Sequence, residues 1–260
     1  MTTSRRLSHK LLFAACLFAC AAPLTQSAAQ AASWGWGWGE QVKGNGVLQR
    51  QQRQPGPFNG VASSLAAAIE IRIGNSESIS IETDENLLPL IETVVEDGML
   101  KIRTVKRNMN LQTRTLKIVV QAKSLDHLSL GGSGSIDSDA LRARKLQIDL
   151  GGSGKIHLKG IEADSLAVSL GGSGDLLAAG GTAARVSISI GGSGNVDLGK
   201  VRSDSVDVSI AGSGETTVWA QQALNLSVAG SGTAKYYGDP RVTTSVIGSG
   251  STRRLGASPL

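Results

Sequence analysis

The tripeptide Gly-Ser-Gly begins at Gly132, Gly152, Gly172, Gly192, Gly212, Gly230 and Gly248, at spacings of 20, 20, 20, 20, 18 and 18 residues. Self-similarity at a near-constant period of this length is the mark of a repeat architecture in which each copy is one structural unit stacked on the next. Aligning the copies shows what the unit is. Just before each corner stand Leu130, Leu150, Leu170, Ile190, Ile210, Val228 and Val246. Two residues earlier stand Leu128, Ile148, Val168, Ile188, Val208, Leu226 and Thr244, and two earlier again Leu146, Leu166, Val186, Val206, Leu224 and Val242. The residues between are polar: Ser129, Asp149, Ser169, Ser189, Ser209, Ser227 and Ser245. Strict alternation means a strand with one aliphatic face and one polar face.

A second alternation follows each corner, with Ile136, Ile156, Leu176 and Val196 inward and Leu158, Leu198 and Val218 two residues on. Leu141, Ile161 and Val201 suggest a third, shorter inward contact. One rung therefore has two or three faces. A propeller blade needs four strands in about 40 residues. Twenty residues at ~3.3 Å each instead close a circuit of ~65 Å, enough for one turn around a solid core. The predicted fold class is all-β: a right-handed parallel β-helix (single-stranded solenoid) with 18–20-residue rungs, right-handed because parallel crossovers are so in nearly all cases. One rung alone buries too few side chains to offset the ordering of its backbone, so stability is collective. Thr252, Arg253 and Arg254 in the last copy suit an end exposed to water.

The flanking glycines allow a tight corner with positive φ. The corner serines, Ser133, Ser153, Ser173, Ser193, Ser213, Ser231 and Ser249, read either as stacked hydroxyls bonding neighbouring rungs or as a row of ligand-binding groups.

Ahead of the repeat, residues 58–125 read as a less regular β region. Ile69, Ile71 and Ile73 alternate with polar residues, Gly74-Asn75-Ser76 turns the chain, and Ile79 and Ile81 resume the pattern. Ile91 to Val95 and Met99 to Val105 flank Glu96-Asp97-Gly98, a hairpin turn by its chemistry, and Leu116 to Val120 forms a further strand. Residues 32–57 read as tether. They open with Trp34-Gly35-Trp36-Gly37-Trp38-Gly39, which holds three of the four tryptophans, and continue rich in Gln and Gly to Pro55-Gly56-Pro57. In an extended chain the three indoles would line one side, able to bind a glycan, meet a membrane interface or dock on the domain.

Residues 1–31 read as a signal peptide. Arg5, Arg6 and Lys10 precede an apolar run from Leu11 to Leu24, too short to span a bilayer, and Ala29-Gln30-Ala31 supplies a cleavage site. Ser4-Arg5-Arg6 lacks the bulky apolar pair of a twin-arginine signal, since Ser8 and His9 stand there. Both cysteines, Cys16 and Cys20, lie inside this segment. Leu17-Phe18-Ala19-Cys20 loosely resembles a lipobox, so a membrane attachment is expected only if Cys20 is lipidated. Removing the segment leaves 23 basic residues against 21 acidic ones, a net charge of only +2 with no basic cluster, which argues against nucleic acid as a partner.

Phe58 before alternating strands, Asn86-Leu87-Leu88, Glu96-Asp97-Gly98-Met99-Leu100-Lys101-Ile102 and the Gly-Ser-Gly series together resemble the putative autotransporter-adhesin head GIN domain family over roughly residues 58–250. The resemblance implies an exported β-helix at the surface or in the periplasm with an adhesin-like role.

Catalytic and metal chemistry find little support. Gly131-Gly132-Ser133-Gly134-Ser135-Ile136-Asp137 approaches the calcium-binding Gly-Gly-x-Gly-x-Asp repeat, but core residues hold the sixth position and the period is 20. Zinc needs clustered His or Cys, and beyond the signal only His127 and His157 remain. None of the Gly-x-Gly motifs leads into a helix, so no phosphate cradle is expected. His127 and His157 align at different rung positions with no evident acid partner. Asp149 beside Lys145 and His157 is the nearest approach to a catalytic group, and a solvated face explains it better. The expectation is no catalytic, cofactor-binding or metal residue and no cofactor. The chain reads as an exported non-catalytic β-helix protein, with adhesin-like binding of a glycan or cell-surface component or a structural role in the envelope. A carbohydrate-active β-helix enzyme is the alternative. The compartment is the periplasm, the outer membrane or the exterior.

Overall fold

The computed structural model describes residues 39–259. The signal segment, the Cys20 lipobox and the tryptophan stripe Trp34, Trp36 and Trp38 lie outside the described residues. Within them the chain forms stacked coils of parallel strands, a β-solenoid of about six turns. The one helical element among the described residues is a 3-10 turn at Leu88–Leu90.

The repeat dictates the register. Leu150 pairs with Leu170, Leu170 with Ile190, Ile190 with Ile210, Ile210 with Val228 and Val228 with Val246, so each aliphatic position becomes a column running along the coil. A long strand (Leu141–Gly152, Ile161–Gly172, Gly181–Gly192) alternates with a short one (Lys155–Leu158, Asp175–Ala178). The long strand bends at Arg144 and Asp164, where the ladder skips a residue, and this makes the third face. Leu141, Ile161 and Val201, its expected inward residues, are at most 2% exposed. Gly181 stands in that column between Ile161 and Val201, and a Cβ there would lie 2.0 Å from the Ile161 carbonyl oxygen. When the period falls from 20 to 18, the residues are lost from the same third face. Leu198 pairs with Val218, but Arg202 then pairs with Trp219, next in sequence.

From Leu128 to Val228 the three core columns of the long strands are no more than 4% exposed. Burial stops at the final rung. Val242 and Val246, read from sequence as inward, are each 38% exposed because no further strand pairs with Arg241–Gly248.

The other end is built differently, and chain order is not spatial order there. The rung made by Gly60–Ser63 and Ala68–Ile73 lies between the repeat and a later rung made by Met99–Thr104 and Lys117–Ala122. Antiparallel strands then close the stack. Ile91–Glu96 folds back on Met99–Thr104 through a turn in which Asp97 and Gly98 both have positive φ, at 53° and 77°. Ser78–Asp84 lies antiparallel to Lys117–Ala122.

Part of the expected tether belongs to this end. Gln41–Lys43 pairs with Asn110–Gln112, and Leu48–Arg53 pairs antiparallel with Ser78–Asp84. Leu48–Arg53 is almost wholly exposed, which is why it carries no apolar alternation to betray it. Main-chain bonding and Arg53 hold it instead: Nη1 donates to the Ile91 carbonyl at 2.6 Å and Nη2 to the Leu88 carbonyl at 2.9 Å.

Candidate functional site

A filled core leaves only outer surfaces for function, and the three faces of the coil differ. On the short-strand face the outward residues are large and often charged. Lys155 approaches Asp175 at 3.8 Å, Asn195 donates to Asp175 at 2.8 Å, and Lys235 pairs with Glu215 at 2.7 Å. Against the scatter read from sequence, basic residues do gather at the bend of the long strands, in an open groove of about 630 Å³ lined by Arg142, Arg144, Lys145 and Arg185, with Asp126 and Asp164 beside them. Arg142 is engaged by Glu162 at 2.8 Å.

The outer face of the long strands is of another kind. Its columns run Gln147, Ala167, Ser187, Asp207, Asn225, Thr243; then Asp149, Ser169, Ser189, Ser209, Ser227, Ser245; then Gly151, Gly171, Gly191, Ala211, Ala229, Ile247. From Ala167 onward all of these are exposed. Among the described residues the side-chain hydrogen bond within this stretch is Asn225 Nδ2 to Asp207 Oδ1, 2.7 Å, and the serine hydroxyls of the middle column make none to another protein group.

The corner serines differ from one of the two readings. Among the described residues their hydroxyls do not bond neighbouring rungs. The ladder at the corner runs through the backbone, Ser173 N–H to Gly152 carbonyl, Ser193 to Gly172 and Ser213 to Gly192, each 2.9 Å. The side chains are left facing water.

The histidines also need correction, for both have acid partners. His127 Nε2 lies 2.7 Å from Asp149 Oδ2, and Gln147 Nε2 donates to the same oxygen at 2.8 Å. His157 Nδ1 lies 3.4 Å from Asp137 Oδ1. Asp149 thus serves His127 and not His157. The repeat period held the clue, because Asp137 precedes His157 by one rung and the two pair directly. Neither imidazole is hydrogen-bonded to a serine or threonine hydroxyl among the described residues, so each is a pair and not a triad. Nor do three His, Cys, Asp or Glu side chains converge there to hold a metal ion.

Three paired carboxylates mark structural joints. The Lys159 ammonium, 2.8 Å away, together with the Ile73 amide holds Asp139 below the usual carboxylate range and ties two rungs together. Lys101 and then Arg103 lower Glu96 on the hairpin. Asp84, 5% exposed, accepts from the Gly46 amide at 2.6 Å and the Thr113 hydroxyl at 2.5 Å, beside an open hollow of about 730 Å³. It locks the 39–53 segment onto the coil.

Taken together, these features define a solid-core β-solenoid with regular outer faces. The family model described as "Putative auto-transporter adhesin, head GIN domain" matches residues 57–240, and the chain belongs to that family. Among solved structures it is similar to a putative lipid binding protein from Parabacteroides distasonis, at 28% identity and a TM-score of 0.71, over 83% of this chain and 100% of that one. A putative adhesin from Bacteroides fragilis superposes with a TM-score of 0.76 at 23% identity, over 82% and 100% of the two chains. A putative adhesin from Parabacteroides merdae does so at 0.64 and 20% identity, over 83% and 99%. A comparison with the curated proteins finds no match.

Proposed function

We propose that the chain is an exported, non-catalytic binding protein of the cell envelope, adhesin-like, that holds a glycan or another cell-surface component on the outside of its coil. The observation that carries this reading is a core packed to no more than 4% exposure along its central columns, under regular outer faces that, among the described residues, gather no nucleophile, base and acid in one place. Binding sites on such a scaffold come from side chains fixed at rung spacing. Family membership supports the adhesin-like role, and the segment 1–31 supports export.

A carbohydrate-active enzyme fits less well. Glycoside cleavage uses two carboxyl groups flanking one bond, whereas Asp175, Asp137, Asp139 and Glu215 are each paired with a basic side chain, Lys155, His157, Lys159 and Lys235 in turn. The name of the Parabacteroides distasonis neighbour raises lipid binding. A lipid would have to lie on the surface of this chain, because aliphatic side chains fill the coil.

The test is to coat inert beads with the purified mature protein, measure retention on whole bacterial cells and envelope polysaccharides, and assay the same mixtures for released saccharide. Retention without product is the expected result. Product release, or no retention on any surface, overturns the reading. Fractionation of cells carrying Cys20→Ser settles attachment: with cleavage after Ala31 the variant distributes like the wild type, whereas release from the membrane fraction would show a lipid anchor.

A further inference from the structure

We propose that the outer long-strand face between Ala167 and Ile247 is the recognition face, and that it takes a neutral, extended polysaccharide lying along the coil axis, about one sugar per rung. This rests on the adhesin-like reading and names its site and ligand chemistry.

Charge singles out this face. Its fifteen outward positions over five rungs are Ala167, Ser169 and Gly171; Ser187, Ser189 and Gly191; Asp207, Ser209 and Ala211; Asn225, Ser227 and Ala229; and Thr243, Ser245 and Ile247. Asp207 is the one ionisable group among them, and Asn225 already donates to it. The short-strand face over the same rungs presents Asp175, Asp197, Glu215, Lys235 and Arg253. An anionic polymer would meet a carboxylate in the middle of the long-strand face and cations only at its margin, at Arg185 and Arg241. A neutral ligand avoids the cost of stripping water from charges.

Size is the second argument. Nearly all these side chains are Gly, Ala, Ser, Asn, Asp or Thr, so the surface stays close to the backbone and flat over five rungs. A flat partner can approach along its whole length. The third argument is repetition. Ser169, Ser189, Ser209, Ser227 and Ser245 stand in one column, exposed and without a protein hydrogen-bond partner, stepped by the ~4.8 Å between neighbouring strands. That step is close to the advance per residue of an extended pyranose chain, so one hydroxyl donor and acceptor meets one sugar, rung after rung. Among the described residues no aromatic ring stands on the face, so each contact is weak and affinity has to accumulate along the chain.

The experiment measures binding of the mature protein to cello-, chito- and manno-oligosaccharides of two to eight units by calorimetry, and retention on cellulose, chitin and mannan. Affinity for at least one series should rise about tenfold or more from the dimer to the pentamer and flatten beyond, as the five rungs fill. Ser209→Arg, in mid-face, and separately Ser189→Lys should abolish retention while melting like the wild type. Leu177→Arg, exposed on the short-strand face, should leave it unchanged. Having two face variants guards against one failing to fold. The proposal is overturned by length-independent affinity, by retention that survives both face variants, or by preference for alginate or heparin. It is also overturned if light scattering shows a dimer that Ser209→Arg dissolves, since the flat face would then belong to a second copy. If the oligosaccharides fail but coated beads still bind cells, the adhesin-like reading stands and only this ligand is lost.

Discussion

The glycines of each corner do different work, although the sequence writes them alike. In Gly171-Gly172-Ser173-Gly174, Gly172 has φ +135° and an added Cβ would lie 2.3 Å from the Gly152 carbonyl oxygen. At Gly174 it would lie 2.6 Å from the Gly154 carbonyl oxygen. Gly171 has open space around it. Gly172→Ala should therefore cost at least about 2 kcal/mol, from left-handed strain and a backbone clash that cannot relax without parting two rungs. Gly171→Ala should stay within about 0.5 kcal/mol. Urea unfolding of the two variants checks this, and equal effects would refute the corner geometry. The difference was half legible, because the first glycine gives way to Ala211, Ala229 and Ile247 while the other two never change. What the serine hydroxyls bond was not legible: a backbone amide and a side chain on one residue are equally consistent with a repeat.

Strands announce themselves in sequence when they bury one face. Those of the repeat do, and so do Ala68–Ile73 and Met99–Thr104. Leu48–Arg53 buries almost nothing, so composition alone made it tether. Truncation to Pro57 should expose the unpaired edge of Ser78–Asp84, lower the melting temperature and promote aggregation, whereas a chain beginning at Gly39 should keep its stability. Arg53→Ala should cost about 1–3 kcal/mol by orphaning the Leu88 and Ile91 carbonyls. Burial lowers the Arg53 pKa, consistent with a cation held mostly by carbonyl oxygens. The hairpin and the Asp139 joint respond to acid. Lys101 and Arg103 depress Glu96, and Lys159 depresses Asp139, so both contribute stability above their unfolded pKa and lose it as pH falls through the depressed folded value. Stability should therefore decline from about pH 4 downward. Asp139→Asn should shrink that decline, and an identical acid profile would show that the Lys159 pairing contributes nothing.

At the scale of the whole molecule, a period of 20 residues is enough to derive one continuous core, and the core in turn fixes which side chains form the outer columns. The out-of-order rung at the N-terminal end escaped the sequence because that region has no repeat to set register, and β alternation does not say which strands are neighbours. Among the described residues nothing gathers metal ligands, so EDTA should leave the melting temperature unchanged, and a drop restored by calcium would expose a site the fold does not display. Every column, and with them the proposed binding face, depends on the stacking register. The most direct test compares two aspartate substitutions in one column, Leu170→Asp at 2% exposure and Val246→Asp at 38% exposure, by thermal unfolding followed by circular dichroism. The register predicts that Leu170→Asp, an unpaired charge inside the core, loses several kcal/mol and its cooperative transition, while Val246→Asp loses no more than about 1 kcal/mol at the open rung. If Leu170→Asp melts like the wild type, or the two variants are equally damaged, the register is wrong.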